Sequence, residues 1–235
     1  MEVLSSSNLR EHMKVNSLSI ADSGKGKTYF AGSIAKYGNP FIIDAEDGLM
    51  TAANLDFDYV RANSFPEFKE AINLYLNTYA DKGYTHLVVD SITRLQQYLV
   101  YETNKTGKLS QSEWGTVLGT LRVTIDWLTK NCPTHLHMTA MAMESRDELT
   151  GMTKIYPNIQ GAFRYDLAGY FDVVLYHDCK VDAEGNTEYY VQTQGDQRIT
   201  ARSRLDSIQK LNRYEQNDYK IIANIIAKHK GESNE

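Results

Sequence analysis

The sequence predicts an α/β fold: a mostly parallel central sheet flanked by helices on both faces, with C-terminal antiparallel strands extending the sheet. Three observations carry this expectation. Short β-prone runs alternate with helix-period segments over residues 14–142. A glycine-rich loop, "ADSGKGKT" (21–28), stands between the first strand and the first helix. From "YFDVVLYHD" (170–178) onward the pattern changes to alternating strands with turns at "AEGN" and "QGDQ".

The elements follow in order. "KVNSLSI" (14–20) reads as a strand, and "GKTYFAGSIAKYG" (26–38) as a helix ended by Gly38. "NPFIIDAEDG" is a short apolar strand running into acids. "SFPEFKEAINLYLNTYADKG" (64–83) has a helical period, with Ser64 as N-cap and Gly83 as stop. "THLVVDS" (85–91) is a buried strand, "ITRLQQYLVYE" a helix and "TNKTGKLSQSE" a loop. A helix over "WGTVLGTLRVTIDWLTKN" (114–131) precedes a strand over "THLHMTAMAM" (134–143). "ESRDELTGMTKIYPNIQGAFR" (144–164) reads as a long polar connection, and "EQNDYKIIANIIAKHK" (215–230) as a closing amphipathic helix. The expected organisation is a leader over 1–13, one domain over 14–230 and a flexible tail over 231–235.

With 235 residues, 42% hydrophobic and 23% charged, the composition is that of a globular domain. No apolar run approaches the roughly 20 residues needed to span a bilayer, and the first residues lack the apolar core of a secretory signal. Cys132 and Cys179 have no metal-ligand spacing and point to a reducing, cytoplasmic setting rather than a disulfide framework. The net charge is −5, but residues 198–230 hold eight Lys/Arg against three acids. Such a segment is either a phosphate-attracting patch or a solvated helix face.

The loop departs from G-x-x-x-x-G-K-[ST] only at Ala21, where one added methyl is tolerable at negative φ. Backbone amides over Ser23, Gly24, Lys25, Gly26, Lys27 and Thr28 are expected to cradle phosphates at a helix N-terminus. Lys27 is expected to reach the β- and γ-phosphates of ATP, and the Thr28 hydroxyl to bind Mg²⁺. Lys25 is an extra cation, expected to face solvent. Such a loop needs an aspartate at the end of another buried strand, and "THLVVDS" supplies Asp90 for the metal shell. Among Asp44, Glu46 and Asp47, Glu46 is chosen to orient the attacking water, Asp44 to support the geometry or the metal shell, and Asp47 to sit in a solvated turn. The competing reading of these acids is a helix N-terminus at "EDGLMTAANL".

Together these segments resemble the RecA-like P-loop ATPases. "PFIIDAEDGL" is similar to that family's catalytic-glutamate segment and "LVVDS" to its magnesium-aspartate strand. "DAEDGL", "GYFDVVLYHD" and "VQTQGDQRITARSRL" are most similar to phage nucleotide-binding and single-strand-annealing ATPases. The resemblance covers about residues 14–205. It implies ATP hydrolysis with Mg²⁺ and a head-to-tail homo-oligomer, ring or filament. It also implies a phage-encoded protein acting on single-stranded DNA in recombination, annealing or replication. A nucleotide-dependent scaffold with little hydrolysis is the alternative, and a motor subunit is a third reading that the small size disfavours.

Three further expectations follow from the resemblance. Arg202 and Arg204, spaced i and i+2 on a late strand, imply fingers that reach a neighbour's γ-phosphate; otherwise they lie on the wet face of an edge strand. The position of the family's γ-phosphate sensor, usually Gln or His, falls on Met141 or Ala142, leaving Glu144, Ser145 or Arg146 as substitutes. DNA-facing loops would fall near 104–112 (Lys105, Lys108) and 145–163 (Arg146, Lys154), with Tyr156 and Phe163 available to stack on bases. The histidines form no ligand cluster, and one of His135 and His137 is expected to be buried. Ser91 has no histidine beside it, and Trp114 and Trp127 are expected in the helix core.

Overall fold

The computed structural model describes residues 13–146 and 151–231. The first twelve residues of the expected leader and the tail beyond Gly231 lie outside the described residues. Among the described residues ten strands form the sheet: β1 (Asn16–Ala21), β2 (Pro40–Asp44), β3 (Asp58–Arg61), β4 (His86–Asp90), β5 (His135–Arg146), β6 (Thr153–Pro157), β7 (Val173–Val181), β8 (Thr187–Gln192), β9 (Arg202–Ser203) and β10 (Tyr214–Gln216). Their order is β10-β8-β7-β1-β5-β4-β2-β3, with β6 on β5 and β9 on β7. The pairs β1–β5, β1–β7, β4–β5, β2–β4 and β2–β3 are parallel. The pairs β7–β8, β8–β10, β7–β9 and β5–β6 are antiparallel. The predicted mostly parallel sheet with antiparallel C-terminal strands is therefore present.

Strand alternation assigns the core. Phe41, Ile43, Leu87 and Val89 face one layer, and Ile42 and Val88 face the other. The first layer comprises α2 (Phe65–Leu74), α3 (Ile92–Thr103) and α4 (Gln111–Asn131), buried through Phe68, Leu95, Leu121 and Ile125 among others. A short α5 (Phe163–Asp166) adds to it. The second layer comprises α1 (Lys27–Gly32) and α6 (Lys220–Lys230). α6 turns Ile221, Ile222, Ile225 and Ile226 inward, each burial contributing roughly 1.5–3 kcal/mol.

Helix ends follow local chemistry. Ser64 caps α2, its hydroxyl accepting from the Glu67 amide at 3.2 Å. Ser110 and Glu113 form a reciprocal capping box that starts α4 three residues before its predicted start at Trp114. α1 is shorter than predicted: after Gly32 it tightens into a 3₁₀ turn over Ser33–Lys36. A Cβ on Gly32 would stand 2.6 Å from that of Ala52, so glycine allows α1 to close on the turn at Leu49–Ala52.

Other expectations are corrected. The predicted polar connection after β5 is instead a β-hairpin: β5 continues to Arg146 and pairs with β6. The closing helix starts at Lys220, because 214–216 form the edge strand β10. Edge strand β3 had no period strong enough to be read. Trp127 is exposed on α4, not in the core. Both Cys132 and Cys179 are unbridged. No helix among the described residues is long and apolar enough to cross a membrane.

Candidate functional site

Parallel pairing brings the C-terminal ends of β1, β2, β4 and β5 to one edge of the sheet, where open α/β sheets bind ligands. Two strands, β5 and β4, separate the loop strand β1 from β2. A cleft of about 1370 Å³ opens at this edge. Ser23, Gly24, Lys25, Gly26, Lys27, Thr28, Glu46 and Met141 line it, together with residues of β8 and β10 that form a wall beside the loop. All six loop residues named from the sequence thus meet Glu46 at one cleft.

The loop is built on two glycines in the left-handed region, Gly24 (φ 74°) and Gly26 (φ 87°). Gly26 stands at the N-cap position of α1, which begins at Lys27. The Lys27 ammonium is folded back within the loop, 3.2 Å from the Ala21 carbonyl, 3.1 Å from that of Asp22 and 3.3 Å from the Met141 sulfur. Burial lowers its pKa, while Glu46, Asp90 and Asp22 pull the other way. Lys25, expected in solvent, instead pairs with Asp178 on β7 at 2.8 Å, and that carboxylate raises its pKa.

The Thr28 hydroxyl donates to Asp90 Oδ2 at 2.8 Å. Thr139, on β5, donates to the other oxygen. Asp90 is fully buried, and burial pushes its carboxyl up to about 6; the Glu46 charge adds to this, while Thr139, Thr28 and Lys27 oppose it. A carboxylate so penalised, held beside a threonine hydroxyl at a phosphate-type loop, suits a hard cation with oxygen ligands such as Mg²⁺. The residues present therefore fit the metal and triphosphate that the sequence predicts.

The acidic turn after β2 orders Glu46. Asp44 Oδ1 accepts from the amides of Glu46 at 3.0 Å and Asp47 at 2.8 Å. Burial raises the Asp44 carboxyl, and these amides oppose the shift. Its second oxygen has no hydrogen-bond partner among the described residues. Asp44 thus shapes the turn. Asp47 is exposed, as expected of a turn residue, and pairs with Arg61 at 2.9 Å. The competing helix reading fails, because only a 3₁₀ turn follows, at Leu49–Ala52. Ser91, set aside as a nucleophile, donates its hydroxyl to Glu46 Oε1.

Arg202 and Arg204 do not join this cleft. Arg202 sits opposite Val174, which pairs with Leu18 near the start of β1, whereas the loop leaves from Ala21 at its end. Arg202 donates to the carbonyls of Ala168 at 2.6 Å and Phe171 at 3.3 Å. Arg204 donates to that of Gly169 at 2.8 Å, beside a hollow of about 510 Å³. Neither lines the cleft of its own chain. At the sensor position Met141 lines the cleft and Ala142 is buried. Glu144 is paired with Arg198 on the hairpin side, and neither it, Ser145 nor Arg146 lines the cleft.

Of the two aromatic residues expected to stack on bases, Phe163 is a core residue, 2% exposed and edge-on to Tyr170. Tyr165 is exposed and lies edge-on to Tyr156, with ring centroids 4.9 Å apart. Lys105 lies over the Tyr101 ring at 4.7 Å. Residues 147–150 of the second expected loop lie outside the described residues.

Sequence reasoning missed the polar network beneath the loop. Asn217 Nδ2 donates to the Gly26 carbonyl at 3.1 Å, and its oxygen meets His177 Nδ1 at 2.8 Å. His177 Nε2 meets the Ser19 hydroxyl at 2.7 Å, which also meets His137 Nε2 at 3.3 Å; His137 Nδ1 reaches Ser17 at 2.8 Å. Both imidazoles are fully buried and depressed to about 3 by desolvation. The only signal available was the run of serines and histidines on the second face of β1 and β5.

No curated protein matches the chain. A family described as AAA domain matches residues 13–205, most of the chain. That family implies ATP binding, typically with Mg²⁺. The chain therefore belongs to the AAA domain family of P-loop ATPases.

Proposed function

We propose that residues 14–230 act as one Mg²⁺-dependent ATPase domain of RecA-like type. The observation that carries this reading is the Thr28–Asp90 hydrogen bond at 2.8 Å, with Lys27 and Glu46 at the same cleft. In this reading the amides of residues 23–28 hold the phosphates, and Lys27 exchanges the Ala21 and Asp22 carbonyls for phosphate oxygens. Thr28 and Asp90 hold the metal, which supplies charge neutralisation at the phosphate oxygens when bound. Glu46 orients the attacking water and accepts its proton, its carboxylate steadied by Ser91 and by the turn around Asp44.

The reading extends to assembly and substrate. Arg202 and Arg204, on the opposite side of the sheet from their own loop, complete the site of the next chain in a head-to-tail ring or filament. The likeness of the late segments to phage annealing and recombination ATPases supports a phage-encoded protein working on single-stranded DNA in the bacterial cytoplasm. Tyr156 and Tyr165, with Arg146 and Lys154, are the surface groups for that contact.

A nucleotide-dependent scaffold with little hydrolysis is the second reading. It is favoured by Met141, whose thioether sits on Lys27 where a hydrogen-bonding sensor would stand. ATPase rate with and without single-stranded DNA separates the two. The enzyme reading expects Mg²⁺-dependent turnover that Glu46→Gln abolishes while ATP still binds. Equal rates for wild type and Glu46→Gln leave the scaffold. A mixture of Lys27→Ala and Arg204→Ala chains that stays inactive removes the shared site.

A further inference from the structure

The loop and Glu46 account for one side of the cleft and leave the wall beside the loop without a role. That wall is built by β8 and β10 and includes Thr187, Tyr189, Gln216 and Asn217. Residues 214–217 lie beyond the 13–205 match to the family.

Tyr189 is the residue of interest. It alternates with Tyr190 along β8 and shares a face with Val191, which is buried in the layer formed by α1 and α6. Its side chain therefore lies on the α1 side of the sheet, beside the loop. Its ring carbon Cδ1 is 3.3 Å from where a Cβ on Gly26 would stand. Tyr189 is nevertheless 42% exposed, a large aromatic beside the loop and open to the cleft. Its position is fixed from below, because Asn217 next to it is tied to the Gly26 carbonyl and to buried His177.

Resting on the nucleotide reading above, we propose that the Tyr189 ring is the platform on which the nucleotide base stacks, with Asn217 setting its distance from the loop. The phosphates enter at residues 23–28 with the terminal one toward Glu46. The planar base then faces the β8–β10 wall, where Tyr214 is also exposed but lies on the other face of the strands, edge-on to Tyr190, so that Tyr189 is the aromatic that offers a π-face beside the loop. The site then binds a phosphorylated nucleoside more tightly than a bare polyphosphate.

Titration calorimetry with two probes, the non-hydrolysable ATP analogue AMP-PNP and inorganic tripolyphosphate, each with Mg²⁺, tests this on the full chain. Tyr189→Ala is expected to weaken AMP-PNP binding about tenfold and Tyr189→Phe to leave it unchanged, since a stacked base contributes roughly 1–3 kcal/mol. Tripolyphosphate affinity is expected to be the same in all three proteins. Unchanged AMP-PNP affinity in Tyr189→Ala overturns the platform. Equal weakening of both probes also overturns it, because Tyr189 would then act on the loop and not on the base. Wild-type protein that binds neither probe removes the nucleotide reading itself, and the platform with it.

Discussion

Asn217 and Gly26, 191 residues apart, are joined by a hydrogen bond of 3.1 Å from the Asn217 side chain to the Gly26 carbonyl. This contact fastens the C-terminal segment to the phosphate loop, and through His177 it continues into the buried Ser19–His137–Ser17 chain. Replacing Asn217 by alanine strands a ring nitrogen of fully buried His177. The expected cost is about 1–3 kcal/mol of stability, read as a lower urea midpoint. Nucleotide affinity should fall with it, because the loop loses a fixed carbonyl.

The two loop glycines should respond differently to alanine. Both have positive φ, so each substitution carries a backbone cost of roughly 1–2 kcal/mol. A Cβ at Gly24 meets nothing within 4 Å, whereas one at Gly26 would stand 2.3 Å from Asn217 Nδ2 and 3.3 Å from both Asn217 Cγ and Tyr189 Cδ1. Gly26→Ala is therefore expected to unfold at a lower temperature and lower denaturant than Gly24→Ala. Equal midpoints for the two variants would show that the Asn217 contact yields without cost.

Stability should fall steeply on mild acidification. His137 and His177 are depressed to about 3 and His135 to about 4, and His86 lies well below its ordinary value, all chiefly through burial. Below about pH 6.5 the unfolded chain takes up protons that these folded imidazoles refuse. Their stabilising contribution is complete above that pH and is lost as pH falls. Each can cost up to roughly 1.4 kcal/mol per pH unit. Asp90, raised to about 6, acts with the opposite sign between about pH 4 and 6 and offsets part of one histidine. Urea titrations at about pH 7 and about pH 5 should differ by several kcal/mol. Gln in place of His177 should flatten that dependence; an unchanged slope would remove the account.

Asp90→Asn separates metal binding from folding. Asp90 is buried between two hydroxyls, Thr28 and Thr139, which can each rotate to accept as well as donate. A neutral amide avoids the burial penalty, so unfolding stability is expected to hold or rise while Mg²⁺-dependent nucleotide binding is lost. In wild type, Mg²⁺-dependent affinity should weaken as pH falls through about 6, where the proton competes with the metal. Metal dependence preserved in Asp90→Asn would take this residue out of the site.

Much of the loop side of the cleft was legible because its determinants are local. The strand, glycine loop and helix over 16–32 are contiguous, Asp90 ends a buried apolar strand, and Glu46 follows the end of another by two residues. The rest depends on tertiary register. Lys25 meets Asp178 only because β7 lies beside β1, and Asn217 reaches Gly26 only because β10 caps the sheet edge. Phe163 was misplaced because a short helix buries it where the sequence shows only a polar stretch. The β5–β6 hairpin was missed for the same reason, since Glu144, Ser145 and Arg146 pair through backbone and carry no apolar alternation.

Titration calorimetry with ATP, in the presence and absence of Mg²⁺, on wild type and on Lys27→Ala and Thr28→Ala, bears most directly on the central claim. The account predicts saturable, Mg²⁺-enhanced binding by wild type that both variants lose while their circular dichroism stays unchanged. Wild type that gives no heat with ATP and Mg²⁺, or variants that bind as well as wild type, would contradict it.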